Sequence, residues 1–271
     1  MNAAEAELDT AVTALEMDLG GSLAYHALKR TTGWTASRRA DEIMASASTY
    51  KLALLLHAAR EVGAGRADWA TPLHFADRHR SWGTGILGQL SAGLSLPLRD
   101  VCQLMTALSD NSATDLLVET FGLEAVNRTL SDLGFRYTRL LAQNAPRSPY
   151  GRPPLAAGQT TPAEMVRLLL GIQDATFVPR SSADLLLEML AAQQDRTMIA
   201  RHLPTGWYYA GKTGSNADLR ADVGVVTSPG GIQIVLALYA HHPASGDWSV
   251  DSPGTLAVAR LAQILISFSS R

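Results

Sequence analysis

The sequence has 271 residues, 46% hydrophobic and 18% charged, which is enough to bury a sizeable core and excludes a disordered chain. Its net charge of -2 and isoelectric point near 6.4 argue against nucleic acid or an anionic membrane as the main partner. No apolar run approaches the ~20 residues of a membrane-spanning helix. The acidic N-terminal segment lacks the basic and apolar pattern of a secretory leader, so we expect a cytoplasmic protein, or a secreted one whose leader has been removed.

The hydrophobic period changes from strand to helix and back along the chain. In chain order, it predicts a helix at 3–17, strands at 21–28 and 31–37, helices at 48–63, 98–108, 112–121, 123–133, 162–170 and 183–192, strands at 207–212, 221–227 and 232–240, and a closing helix at 255–266. The single cysteine, Cys102, excludes an internal disulfide and is predicted to lie in the core.

Strands at both chain ends with helices between them predict an α+β fold. An antiparallel sheet built from both ends is flanked by helices in an α/β lobe formed by residues 1–45 and 206–271. Residues 46–205 form an all-helical lobe. We expect one two-lobed catalytic domain with the active site between the lobes.

Three short polar motifs follow one another along the chain. They are Ser48-Thr49-Tyr50-Lys51, Ser109-Asp110-Asn111 and Lys212-Thr213-Gly214. Each motif is weak alone, but the chain has only three lysines and two of them lie in these motifs. The combination therefore points to one shared site.

The spacing of the motifs suits an activated serine. Positions i and i+3 of a helix share a face, so Lys51 can reach the Ser48 hydroxyl. A hydroxyl is a poor nucleophile until a base takes its proton, and a buried Lys51 close to the ammonium of Lys212 would have a lowered pKa and could be that base. Ser109 would relay a proton to the leaving group, and Asn111 would hold Lys51 or a substrate amide.

The third motif lies at the end of a predicted strand, where Thr213 and its neighbours can pair with an extended substrate. Gly214 permits close approach of the two backbones. The backbone N–H groups of Ser48 and Ser215 would then form an oxyanion hole.

The sequence resembles the class A β-lactamase-related serine hydrolases of the β-lactamase and penicillin-binding protein superfamily. The resemblance covers residue 20 to the C-terminus and is carried by the three motifs together with the segments 39–42, 83–87, 98–100, 109–117 and 160–165. It implies that family's fold and acyl-enzyme chemistry. No cofactor is implied, and the histidines show no metal-ligand spacing.

The resemblance also suggests further substrate-binding residues. Arg220 is similar in place to an arginine that binds the substrate carboxylate in the family, although it could instead be a surface arginine beside Asp222. Tyr50 and Trp82 are candidates for lining the cleft, and core packing is the alternative for each.

The sequence departs from the class A pattern in the long loop before the helix at 162–170. Class A β-lactamases carry there a glutamate that activates water for deacylation, whereas residues 133 to 163 contain no Asp or Glu and the equivalent position falls near Ala145. The same region carries four arginines, which favour an anionic substrate or form a solvated surface: Arg136, Arg139, Arg147 and Arg152.

These features predict an enzyme that forms an acyl-enzyme at Ser48 from a small-molecule ester, amide or lactam. Without the glutamate, we expect transfer of the acyl group to an amine acceptor, as in small-molecule or antibiotic biosynthesis, or hydrolysis of an ester or amide. The alternatives are a β-lactamase, a D-Ala-D-Ala carboxypeptidase, or a receptor that binds β-lactams with slow turnover. The oligomeric state is left open.

Overall fold

A computed structural model describes residues 3–141, 157–242 and 247–270. The helices within these residues are α1 (Ala3–Leu19), α2 (Lys51–Gly63), α3 (Leu98–Ala107), α4 (Asn111–Phe121), α5 (Leu123–Asp132), α6 (Pro162–Gln173), α7 (Arg180–Ala191) and α8 (Pro253–Ser269). The strands are β1 (Ser22–Lys29), β2 (Thr35–Arg38), β3 (Met44–Ala45), β4 (Pro72–His74), β5 (Ser95–Pro97), β6 (Arg139–Leu140), β7 (Gly158–Thr160), β8 (Tyr208–Ser215), β9 (Leu219–Thr227) and β10 (Gln233–His241). The predictions for Ala145, Arg147 and Arg152 lie outside the described residues.

The main sheet has five strands in the order β2-β1-β10-β9-β8, and every neighbouring pair is antiparallel. The two ends of the chain meet in this sheet because β1 pairs with β10, with Ser22 opposite His241 and Lys29 opposite Ile234. The predicted α+β class, with an antiparallel sheet built from both chain ends, is confirmed. β8 is an edge strand, so one side of its backbone is open.

Helices cover both faces of the sheet, and the side chains of β10 show how the two cores are divided. Val235, Ala237 and Tyr239 pack in one core with α2 and the other central helices. Ile234 and Leu236 point to the opposite face and pack in a second core with α1 and α8. Successive side chains of a strand point to opposite faces of the sheet. Because both faces are covered here, β10 is apolar at consecutive positions and appears in the sequence as a continuous apolar run.

The predicted helices all occur, with shifts at their ends. The largest local difference is at residue 48, where a regular α-helix was expected to start. Residues Ala47–Tyr50 instead form a tighter 3₁₀ turn, and α2 begins only at Lys51. Among the described residues, no helix is long and apolar enough to cross a membrane.

The sequence patterns did not reveal the short strands. β3, β7 and β6 form a three-stranded sheet, and β4 pairs with β5. Strands of two or three residues are too short to show a period. They matter for the site because β7 lies beside the turn that carries Ser48: the Ser46 amide donates to the Gly158 carbonyl at 3.0 Å.

Candidate active site

Ser48 lies in the 3₁₀ turn Ala47–Tyr50 and is half-buried. The buried Thr49 stabilises the turn, because its hydroxyl donates to the Ser46 carbonyl at 2.6 Å and lies 3.1 Å from the Tyr239 hydroxyl. Ala47 has a φ of +42°, a left-handed conformation that is unfavourable for a residue with a Cβ. The surrounding contacts therefore hold Ser48 at a fixed point on a strained backbone.

Lys51 is one turn after Ser48 and only 1% exposed. Its ammonium donates to the Ser109 carbonyl at 2.6 Å, to the Ser109 hydroxyl at 3.1 Å and to the Asn111 side-chain oxygen at 2.7 Å. Burial, followed by the charge of Lys212, holds the pKa of Lys51 well below its usual range, against the opposing effects of Asp110 and Asp115. The first two motifs thus meet at the amine of Lys51, whose pKa is lowered.

Ser109 connects α3 to α4 with a φ of +54°. Asp110 caps α4 by accepting from the Ala113 amide at 2.9 Å, and its other oxygen accepts from the amides of Ile86 and Leu87 at 2.7 and 2.8 Å. The buried Asp110 carboxylate therefore locks the preceding loop against the start of α4 and fixes the strained Ser109 beside Lys51.

Lys212 enters the same region from β8 and is 1% exposed. Its ammonium donates to the Thr213 carbonyl at 2.8 Å. Burial lowers the pKa of Lys212 to about 7, and the charges of Asp222 and Asp195 oppose this effect. Lys51 and Lys212 are thus buried near each other, and both have lowered pKa values.

The register of β8 determines where its free backbone groups point. The Asn216 amide donates to the Leu219 carbonyl at 3.0 Å, which makes these two residues a hydrogen-bonded pair. Such pairs alternate along an antiparallel ladder, so Ser215, opposite Arg220, directs its N–H away from β9 and toward the open edge.

Gly214 brings this edge close to the serine turn. A methyl group at Gly214 would lie 2.8 Å from the Ser48 amide nitrogen and 3.1 Å from the Ala47 Cβ, so only glycine fits there without a shift. The amide of Ser48, in the first turn of its helix, and that of Ser215 thus lie on neighbouring backbones at the same cleft.

A cleft of about 540 Å³ lies over these groups. Its wall contains residues of all three motifs, namely Ser48, Ser109, Asn111, Thr213, Gly214 and Ser215. The remaining lining residues are Gly83, Thr84, Ala107, Leu108, Gln193, Gln194, Asp195 and Trp248. The structure therefore brings the sequence-predicted motifs together in one cavity.

Two predicted binding residues, Tyr50 and Trp82, are not among the described residues that line the cleft. Tyr50 is 2% exposed and packs in the core because the 3₁₀ turn directs it inward, so its predicted contact with substrate is not supported. Trp82 is 53% exposed beside the cleft, and its carbonyl accepts from the Asn111 side chain at 2.5 Å.

Arg220 is not a surface arginine. It is 3% exposed, and its guanidinium donates to the carbonyls of Asn216, Leu219 and Asp247 at 2.6, 3.0 and 2.7 Å. The Trp248 ring lies over it, 4.8 Å from the guanidinium carbon. These carbonyls and the ring hold the guanidinium in place, and the binding of a substrate carboxylate by Arg220 stays a prediction.

Sequence reasoning missed two parts of the cleft wall. Gln193, Gln194 and Asp195 follow α7 in an irregular segment without a recognisable motif. The Gln194 amide donates to the Ala107 carbonyl at 3.0 Å, which places this segment against the end of α3. Trp248 follows the last strand, and only its aromatic character in a polar stretch could have drawn attention to it.

A serine on a helical turn, a buried lysine one turn later, a second serine and a lysine on an adjacent edge strand define the arrangement of an active-serine acyl-transfer enzyme. Comparison with known proteins agrees with this class. The model of the beta-lactamase enzyme family matches residues 7–268. The chain belongs to this family and is a β-lactamase-related serine hydrolase.

Individual relatives are distant but cover nearly the whole chain. A curated beta-lactamase of Streptomyces cellulosae is 26% identical over 258 residues, which are 93% of this chain and 81% of that protein. The crystal structure of a beta-lactamase from Sphaerobacter thermophilus is 28% identical, with a TM-score of 0.84 and 97% of both chains covered. The structure of the penicillin-binding protein PBP-A shares the fold, with 19% identity, a TM-score of 0.86, and 100% of this chain and 97% of that chain covered.

Proposed function

We propose that this protein forms an acyl-enzyme at Ser48 and passes the acyl group preferentially to an amine acceptor, with slow hydrolysis as the competing reaction. In the first step, neutral Lys51 takes the Ser48 proton while the hydroxyl oxygen attacks the carbonyl carbon of the donor. As the bond between carbonyl and leaving group breaks, the Ser109 hydroxyl gives its proton to the leaving group and takes one from the Lys51 ammonium, which lies 3.1 Å away. The acyl group is then esterified to Ser48.

The electrostatic support for this step comes from the groups around the cleft. The amides of Ser48 and Ser215 donate to the oxygen that becomes negative, and such donors act most strongly where water is excluded. The ammonium of Lys212 adds positive charge close to Lys51, which favours the neutral form of Lys51 that can act as a base. Thr213 presents its backbone at the open edge of β8, where an extended donor can pair.

The observation that carries the choice of acceptor is the absence of any Asp or Glu between residues 133 and 163. The next acid in the chain, Glu164, is already committed. Its carboxylate accepts from the amides of Arg136 and Thr138, both at 2.6 Å, and from the Thr138 hydroxyl at 2.6 Å.

Burial alone would raise the pKa of Glu164, but these hydrogen bonds lower it below its ordinary value. Glu164 therefore serves as a clamp on the 136–138 backbone and is a poor proton acceptor for water. A positioned general base typically contributes ~10²–10⁴-fold to a reaction. An acyl-enzyme that lacks one for water persists until a better nucleophile arrives, and a neutral amine needs less activation than water.

A second candidate, hydrolysis of β-lactams, is favoured by what is known of the relatives. Two of them are described as beta-lactamases. A mutant of PBP-A, whose structure is 20% identical to this chain, forms an acyl-enzyme complex with penicillin G. These descriptions support penicillin G as an acyl donor for the first test.

The test measures how the acyl group is partitioned. Wild-type protein is incubated with penicillin G or a phenyl ester and rising concentrations of hydroxylamine or glycine amide, and the hydrolysed and amide products are separated by chromatography. We expect the amide product to form in proportion to the amine and total turnover to rise by about tenfold or more, since deacylation limits the rate. Ser48→Ala should form neither product, and Ser131→Ala, on the exposed face of α5, should behave as wild type.

Two outcomes would overturn the proposal. If hydrolysis in water is fast and the amine leaves turnover unchanged, the protein is a hydrolase. If Ser48→Ala retains turnover, the nucleophile is a different group.

A further inference from the structure

The described part of the cleft wall carries little charge. Among the described residues that line the cavity, Asp195 is the one charged side chain, and neither lysine nor arginine is present. Lys51 and Lys212 lie behind the wall and are both 1% exposed. The surface that a substrate meets in the described part of the cleft is therefore acidic on the Asp195 side and otherwise neutral.

The Asp195 carboxylate is held firmly by one of its oxygens. Oδ1 accepts from the Thr197 amide at 3.0 Å and from the Thr197 hydroxyl at 2.6 Å. The Asp195 amide donates to the Gln193 side-chain oxygen at 3.2 Å, and the Gln193 side chain in turn donates to the Thr106 carbonyl at 3.3 Å. The carboxylate is thus fixed in place without using Oδ2 in any of these bonds.

No ion pair neutralises this carboxylate in the part of the chain that the structure describes: every salt bridge found there joins other residues. Its neighbour Arg196 stacks on the Tyr209 ring, 5.4 Å from the centroid. Arg220, the cation closest in sequence to the third motif, is bound to three carbonyls. The half-buried Asp195 carboxylate thus forms no direct ion pair within the described residues, and the cation that acts on it there, Lys212, lies buried behind the cleft wall.

We infer that the Gln194–Asp195 side of the cleft is a subsite for a cationic group, an ammonium, carried by the acyl donor. The inference rests on the proposed function, because that function places the donor in this cleft with its carbonyl at Ser48. A cationic group beside the Oδ2 atom of Asp195 gains a Coulomb attraction that is less screened in this partly desolvated wall than in water. The Gln194 side-chain nitrogen donates to the Ala192 carbonyl at 2.9 Å, so its oxygen is the atom that can face a cationic group.

The test compares two donors that differ only in charge. They are the p-nitrophenyl ester of γ-trimethylammoniobutyrate and its uncharged isostere, in which carbon replaces the quaternary nitrogen. The second-order acylation rate is taken from the burst of p-nitrophenolate, and the adduct on Ser48 is verified by mass spectrometry. The readout is the ratio of the two rates, which cancels any general effect of a substitution on Lys212.

We expect the ratio of the acylation rates, cationic ester over neutral ester, to be about tenfold higher in wild type than in Asp195→Asn. Asparagine keeps the Oδ1 acceptor for Thr197, so the local turn is retained while the charge is lost. Asp195→Glu, which restores the charge, should recover part of the preference. Glu124→Gln removes an exposed carboxylate on α5, remote from the cleft, and should leave the ratio unchanged. An equal ratio in wild type and Asp195→Asn would overturn the inference.

A binding measurement separates this inference from the proposed function. The anilides corresponding to the two esters are titrated by calorimetry into Ser48→Ala and into Ser48→Ala with Asp195→Asn. If neither ester labels Ser48 in wild type, the proposed function fails. The subsite is still supported if Ser48→Ala binds the cationic anilide about tenfold more tightly and the second substitution removes this difference. Equal binding of the two anilides contradicts it.

Discussion

At the scale of single residues, the two buried lysines dominate the site. Burying an amine favours its neutral form, and the structure places Lys51 and Lys212 in the interior with lowered pKa values. An amine can take a proton from a hydroxyl only if the two groups lie close together. The hydrogen bonds that Lys51 donates to Ser109 and Asn111 fix its side chain beside the Ser109 hydroxyl. Burying both amines therefore costs stability, and perturbed pKa values of this kind are typical of functional sites.

This cost predicts a pH-dependent stability. The pKa of Lys212 is about 7 in the folded state, lowered by burial from an unfolded value of 10.5. Between these two values the unfolded chain binds more protons, so the contribution of Lys212 to stability should increase as the pH rises from about 7 toward 10.5. Lys212→Met should remove this slope and raise the free energy of unfolding at pH 7 by on the order of 1 kcal/mol or more, while acylation is lost.

Urea denaturation of both proteins across this pH range measures the slope. Lys29→Met is the matched control, since Lys29 lies far from the site with its ammonium bound to the Ser269 carbonyl at 2.8 Å. Identical pH profiles for wild type and Lys212→Met would show that Lys212 keeps its proton in the folded protein.

Single residues also differ in how far their place in the site could be predicted from the sequence. Ser48, Lys51, Ser109, Asn111 and Lys212 were identified because their spacing has a chemical reason. Asp195 was missed because a lone aspartate in an irregular segment has no such spacing. The sequence also could not show that the guanidinium of Arg220 is held by the carbonyls of Asn216 and Leu219, because these contacts depend on how the strand turns after β8.

At the scale of elements, the contact between β8 and the turn Ala47–Tyr50 is decisive. Each contributes one amide to the same region, and Gly214 sets the distance between them. The strand was predicted to end at residue 212, yet it continues to Ser215 since β9 pairs with it that far. Cross-strand pairing overrides local preference here, which sequence periodicity alone cannot show.

Gly214→Ala tests this contact. The added methyl group would lie 2.8 Å from the Ser48 nitrogen, so β8 must move away from the turn and the two amides must separate. We expect the acylation rate to fall by ~10²-fold or more, the size of effect seen when an oxyanion donor is lost. Burst kinetics with an activated ester measure the rate.

Gly230→Ala is the matched control for this substitution. A methyl group there meets nothing closer than 3.8 Å, so acylation should be unchanged. A Gly214→Ala protein as active as wild type would show that the two amides do not act together.

At the scale of the whole molecule, the pattern of elements was predictable and the shape of the cleft was not. The continuous apolar run of β10 results from burial on both faces of the sheet, and α2 has a helical period of apolar residues, so both could be recognised in the sequence. The described part of the cleft is built where six segments distant in sequence meet, around residues 48, 83–84, 107–111, 193–195, 213–215 and 248. Tertiary packing alone brings these segments together, so only the residues with a motif could be assigned in advance.

The most direct measurement is mass spectrometry of the intact protein after brief exposure to penicillin G, followed by peptide mapping. We predict a single acyl adduct on Ser48 that persists for many minutes in water and no adduct in Ser48→Ala. Labelling should be slowed by ~10²–10⁴-fold in Lys51→Ala, the usual contribution of a general base. An adduct on another residue, or Lys51→Ala labelled as quickly as wild type, would contradict the claim that Lys51 activates Ser48.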